Sequence, residues 1–185
     1  RAAREHFLTP AKRGDGARRD ALHSAAAADP ELPARGLLNF DNQRGRRGGY
    51  SLYVPENYTP DRKWPLIVAL HGGSGHGANF LWSWLRDARA HGCLLASATS
   101  RDRTWSLREA DKDGVGLNRM LGQISERYNI DSSRLLLTGI SDGGTYSMLL
   151  AAGKQSPFTH YAPVAAAVHA MQNRDGQVLA PVKGT

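Results

Sequence analysis

The stretch Arg134–Leu150, RLLLTGISDGGTYSMLL, leaves this chain few ways to fold. Leu135, Leu136 and Leu137 form an apolar run too short for a helix and suited to a strand buried on both faces. Gly139-Ile140-Ser141-Asp142-Gly143 follows, a G-x-S-x-G, and then Tyr146, Leu149 and Leu150 at helical spacing. Strand, tight turn and helix in that order give the motif a physical meaning. So sharp a turn strains the serine backbone and pushes its hydroxyl out of the sheet, and side chains at the flanking glycines crowd it. The helix that follows aims N–H groups and a positive dipole end at the same point. The competing reading is a plain strand–turn–helix junction, because a chain with 20 glycines produces the bare motif by accident fairly often.

The segments before this stretch repeat its alternation. Tyr50–Val54 is rich in β formers and stops at Pro55. Pro65–Leu70 is a continuous apolar run of strand length, and Leu94–Ala98 is another. Between them Phe80, Leu81, Trp84, Leu85 and Ala88 share one face, which predicts a helix over Ala78–His91. Leu117, Met120, Leu121, Ile124 and Tyr128 predict a second over Val115–Tyr128, after a charged loop, Arg101–Gly114. Gly153 closes the helix after Ser141, and Tyr161–Ala166 reads as a further strand. Strands alternating with helices predict an α/β fold with a mostly parallel sheet.

Residues 1–47 have a different texture, with ten Lys/Arg, six Asp/Glu and Ala-rich patches. They read as a basic lead-in, helical over Ala2–Leu8 and Arg18–Ala27, with the α/β domain occupying 48–185. Gln43-Arg44-Gly45-Arg46-Arg47-Gly48-Gly49 resembles a nucleic-acid-binding RGG segment, but it is a single cluster flanked only by Phe40 and Tyr50. A solvated lead-in accounts for it better. The net charge, 24 − 17 = +7, adds no partner by itself. Cys93 is the sole cysteine, which excludes an internal disulfide and a Cys-rich zinc site; its apolar surroundings predict a buried thiol. No apolar run has the length of a membrane span, and the compartment stays open.

His71-Gly72-Gly73-Ser74-Gly75-His76-Gly77 lacks the ending of a phosphate loop. Gly73, Gly75 and Ala78 fit a dinucleotide fingerprint weakly, since the loop follows the second strand and no acidic residue closes the next one. It reads better as a loop that offers a backbone N–H to a developing oxyanion. Gly73 is the first choice of donor and Ser74 the second, with Asp142, after the serine, as the other donor. His71 and His76 have no nearby carboxylate and make a poor metal pair; His71 reads as a support that holds the loop by hydrogen bonds. Trp105 is a candidate wall of a substrate pocket, with burial in the core as the competing reading. A reactive serine also needs a base and a carboxylate to orient it, in the order Ser, Asp/Glu, His. After Ser141 the chain has only Asp142 and Asp175 as carboxylates, and no histidine follows Asp175; His160 and His169 read as packing or surface residues.

Leu70-His71-Gly72-Gly73 together with Thr138–Gly144 resembles the α/β-hydrolase superfamily. More narrowly, the chain is similar to bacterial serine esterases of the polyhydroxybutyrate depolymerase, feruloyl esterase and phospholipase/carboxylesterase group. Tyr53-Val54-Pro55, Ser100-Arg101 with Thr104-Trp105, Tyr128–Asp131 and Ala162–Ala165 add to the likeness, which runs from about Tyr50 to Val182. The resemblance implies an α/β-hydrolase fold, Ser141 as nucleophile, Gly73 and Asp142 as oxyanion donors, a small ester substrate and no cofactor or metal. It also implies that the chain continues, with the last strands and the triad Asp and His beyond Thr185. Two rivals remain on the same residues: a peptidase on this fold, and a degenerate hydrolase domain used for binding.

Overall fold

The computed structural model describes residues 33–107, 111–153 and 156–167. The helices expected before residue 33 lie outside these, as do His169 and Asp175. Six strands form one sheet: β1 (Gly36–Phe40), β2 (Tyr50–Val54), β3 (Trp64–Leu70), β4 (Leu94–Ala98), β5 (Ile130–Ile140) and β6 (His160–Val164), in the order β1-β2-β4-β3-β5-β6. β4, β3, β5 and β6 run parallel, while β1 and β2 join antiparallel at one edge. The connecting helices are α1 (Gly77–His91), α2 (Lys112–Arg127) and α3 (Asp142–Ala152).

Period-two alternation divides the strands between two cores. Leu52, Val54, Leu66, Val68, Leu70, Leu94, Ala96, Leu135 and Leu137 point to the face covered by Leu117, Met120, Leu121 and Ile124 of α2 and Tyr146 of α3. Tyr53, Ala69 and Leu95 point the other way, onto Leu81 and Ala88 of α1. A strand covered on both faces must be apolar at successive positions, which is why the runs in β3 and β4 are continuous. Cys93 is buried at the start of β4, and burial pushes its thiol pKa up.

Three elements differ from expectation. Residues 36–40, read as part of the lead-in, form edge strand β1 in register with β2, where Phe40 stacks on Tyr50 at 4.6 Å. Tyr128 Oη donates to the Ala34 carbonyl at 2.7 Å and secures the chain just before it. β5 begins at Ile130 and passes a register shift opposite Trp64 and Leu66 before the leucine run. α2 begins at Lys112, because the Asp111 carboxylate accepts the Gly114 N–H at 2.7 Å and caps the helix inside the supposed charged loop.

Leu137 of β5 is fully buried whereas Leu37 of β1 is 50% exposed. Leu137→Ala is expected to destabilise the fold by about 2–5 kcal/mol, through lost burial and the cavity left behind. Leu37→Ala is expected to cost less than about 0.5 kcal/mol. Urea unfolding of the two variants checks the contrast.

Candidate active site

The parallel strands present their carboxyl ends on one edge of the sheet, the edge where open α/β sheets bind ligands. Ser141 follows the last residue of β5 and caps α3, with φ 54° and ψ −117°. Positive φ is rare for a side-chain-bearing residue and marks stored strain. Its N–H donates to Val164 O at 3.0 Å, and its own carbonyl accepts from Thr145 N at 2.8 Å. The glycines around it permit the geometry. A Cβ on Gly139 meets the Gly143 backbone at 2.6 Å, and one on Gly143 meets Leu70 O at 2.4 Å. The serine side is exposed, flanked by Ile140 and Val164, which are 41% and 44% exposed.

Gly73 lies opposite the first turn of α3, so close that a Cβ on it falls 2.5 Å from Asp142 Oδ2. That carboxylate also accepts from Thr104 Oγ1 at 2.6 Å. Asp142 opens α3, where main-chain N–H groups lack intrahelical partners. Among the described residues no acceptor pairs with Gly73 N–H. Ser74, the second choice of donor, directs its N–H elsewhere. Its φ is 59° and its N–H is already committed to Arg103 O at 2.6 Å.

His71 is buried beneath this loop. Its Nε2 accepts from Ser100 N at 3.1 Å, so the proton sits on Nδ1, which donates to Gly72 O at 2.6 Å. The ring therefore supports the loop by hydrogen bonds. Trp105, the candidate pocket wall, lies in the core. It is 3% exposed, its indole N–H donates to His71 O at 2.8 Å, and it stacks on Tyr146 at 5.5 Å. It thus props the loop from below. The cavity it borders, about 630 Å³ and lined also by Phe40, Tyr50, Arg101 and Met120, includes neither Ser141 nor Gly73.

Both nitrogens of His76 are committed, one accepting from Ala78 N at 3.2 Å and the other paired with Arg46 O at 3.0 Å. Among the described residues no three His, Cys, Asp or Glu side chains gather in a metal-binding arrangement. None of the described helices is long and apolar enough to cross a membrane. His160 sits opposite Leu136, five residues before Ser141, or about 16 Å along the strand, and its Nδ1 pairs with Thr159 Oγ1. It is a surface residue of the far end of the sheet.

Sequence reasoning missed three supports of the site. Asp113 is buried and accepts from Arg101 N, Ser106 N and Ser106 Oγ at 2.8–2.9 Å, which orders the loop carrying Thr104 and Trp105. Thr104 and Arg47 are the others, since each acts on residues remote in sequence. A carboxylate in the first turn of a helix is a visible signal for Asp113 only as a capping charge, not as a loop anchor.

No family model matches the chain. The bifunctional acetylxylan esterase/xylanase XynS20E of Neocallimastix patriciarum is 25% identical over 115 residues, 60% of this chain and 17% of that protein. A thermostable esterase of known structure is 26% identical, with a TM-score of 0.55 over 69% of this chain and 40% of its own. Acetyl xylan esterase from Aspergillus awamori is 20% identical, with a TM-score of 0.59 over 77% and 57%. LpqC, a poly(3-hydroxybutyrate) depolymerase from Bordetella parapertussis, is 23% identical, with a TM-score of 0.53 over 71% and 51%. This chain spans less than a fifth of the curated relative and about half of the solved structures. Its fold is that of the α/β-hydrolases, and the proteins it resembles are esterases and serine hydrolases of that type.

Proposed function

We propose that the protein is a serine carboxylic ester hydrolase working through an acyl-enzyme on Ser141. The observation that carries this reading is the strained, exposed serine at φ 54° between the central strand and a helix N-terminus, with the Gly72-Gly73 backbone packed close beside it. Ser141 Oγ attacks the ester carbonyl. The charge that develops on the carbonyl oxygen is met by the N–H groups of Asp142 and Gly73, held in place before the reaction begins. The alcohol leaves, and water then releases the acid from the serine. Proton transfer requires an imidazole base, which the described residues do not supply at Ser141.

Short acyl groups suit the site best. Ile140 and Val164 offer a small apolar surface beside Ser141, and two of the relatives are named acetylxylan esterases. Acetate and other short-acyl esters of aryl or sugar alcohols are the proposed substrates, with feruloyl and hydroxyalkanoate esters as further candidates.

In the full-length protein, Ser141→Ala is expected to lower kcat/KM for an aryl acetate by at least about 10⁴-fold. A fluorophosphonate is expected to add once, at Ser141, by intact mass and peptide mapping. Labelling elsewhere with full activity in the alanine variant overturns the reading.

His71 must stay neutral to hold the loop as it does. Burial is the largest influence and lowers its pKa from the ordinary 6.5; the bond to Gly72 opposes this, and the Arg47 charge adds to the lowering. A base whose folded pKa lies below its unfolded value is protonated more readily when unfolded. Its contribution is therefore intact above about pH 6.5, and stability falls as pH drops from there toward the folded pKa. His71→Asn is expected to lose less stability between about pH 7.5 and pH 5.5 than the wild type does, measured by urea midpoints at each pH.

A further inference from the structure

The basic run Gln43–Gly49, which reads in sequence as a flexible lead-in, packs against the Gly-rich loop instead. Arg47 Nη1 donates to Gly75 O at 2.7 Å and Nε to Ser100 O at 3.1 Å. Nη2 adds the Ser100 hydroxyl and the Asp102 carbonyl. Guanidinium groups in proteins commonly meet carboxylates, yet among the described residues Arg47 forms no ion pair. Its planar fork is spent on neutral acceptors from two separate loops.

Those loops are the ones that place Gly73. The segment His71–Gly77 contains Gly72, Gly73, Gly75 and Gly77, so its backbone has unusual freedom to lose. Inside it Gly75 N–H donates to Gly72 O at 2.9 Å, and further restraints come from outside. Arg103 O receives Ser74 N–H, Ser100 N–H holds His71 Nε2, and Arg46 O holds His76. Arg47 ties the two ends of this set together, since it binds Gly75 directly and Ser100 and Asp102 on the facing loop. Charged donors make the stronger hydrogen bonds, and a lysine cannot reproduce a fork across several carbonyls.

We infer that Arg47 is a positioning residue for the oxyanion hole, clamping the Gly72–His76 loop to the Ser100–Arg103 loop so that Gly73 N–H keeps its aim. This rests on the serine-esterase reading of Ser141. An oxyanion donor acts on charge that exists only in the transition state, so loosening it lowers kcat and leaves KM nearly unchanged.

The test uses steady-state hydrolysis of an aryl acetate by the full-length protein, with Arg47→Met, Arg47→Lys, Arg44→Met and Ser141→Ala. Arg44 is an exposed neighbour in the same run and makes none of these bonds. Arg47→Met is expected to lose on the order of tenfold to hundredfold in kcat, with KM within about twofold. Arg47→Lys is expected to recover little of this, and Arg44→Met to match the wild type. Amide hydrogen exchange over residues 72–76 and 100–103 is expected to rise together in Arg47→Met. A kcat for Arg47→Met within about twofold of wild type overturns the inference, as does a loss confined to KM, full recovery by Lys, or an equal loss in Arg44→Met. Should the Met variant fail to fold, the Lys variant and its exchange pattern decide. Failure of the underlying reading looks different, because Ser141→Ala then keeps its activity whatever Arg47 does.

Discussion

Main chain packed directly on main chain is the constraint from which the site follows. Gly143, in the first turn of α3, lies so near the end of β3 that a Cβ on it falls 2.4 Å from Leu70 O and 2.5 Å from His71 O. Gly139, at the end of β5, approaches the Gly143 backbone just as closely. With nothing between them, the helix starts directly above two strand ends, and the chain must reverse within Ile140 and Ser141. The positive φ of Ser141 is the result, a strain of about 1–3 kcal/mol by general experience. The bonds from Ser141 N to Val164 O and from Thr145 N to Ser141 O hold it.

The facing loop solves a different problem. Its glycines allow close approach, and beyond the bond from Gly75 N–H to Gly72 O its order arrives from neighbours. His71, Trp105 and Tyr146 stack in series beneath it, and the Tyr146 hydroxyl donates to Asp111 at the head of α2. Burial pushes the Tyr146 pKa up, so the hydroxyl keeps the proton it donates. Asp113, two residues further on, gathers three donors from the loop before the helix. Helix α2 thereby supports the site through its first turn, while the middle of the same helix packs the core.

The parts legible in sequence were those with local signals. The leucines of β5, the run in β3 and the one-sided helix α1 declare their burial by period and length. β1 escaped because Gly36–Phe40 is half exposed and finds its reason only in pairing with Tyr50–Val54. Sequence ranks Gly73 above Ser74 as a donor only because glycine lets the backbone come closer to a substrate. In the structure the Arg103 carbonyl takes the Ser74 N–H, and among the described residues no acceptor takes that of Gly73. Trp105 is ambiguous in sequence for a related reason: an aromatic after a charged loop suits a pocket wall or the core alike, and only the packed structure shows the indole bonded to the His71 carbonyl.

Residue order alone carries the strand–turn–helix junction at Ser141 and the alternation that makes a mostly parallel sheet. These depend on residue type at short spacing, where backbone sterics and hydrophobic period act without reference to distant chain. Only the packed structure shows that the Ser74 N–H goes to Arg103 O, that Trp105 is buried and what Arg47 bonds. Arg47 meets Ser100 across 53 residues and Thr104 meets Asp142 across 38. Hydrogen-bond partners at such separations are chosen by how the sheet brings loops together, and no local pattern of residues carries that information.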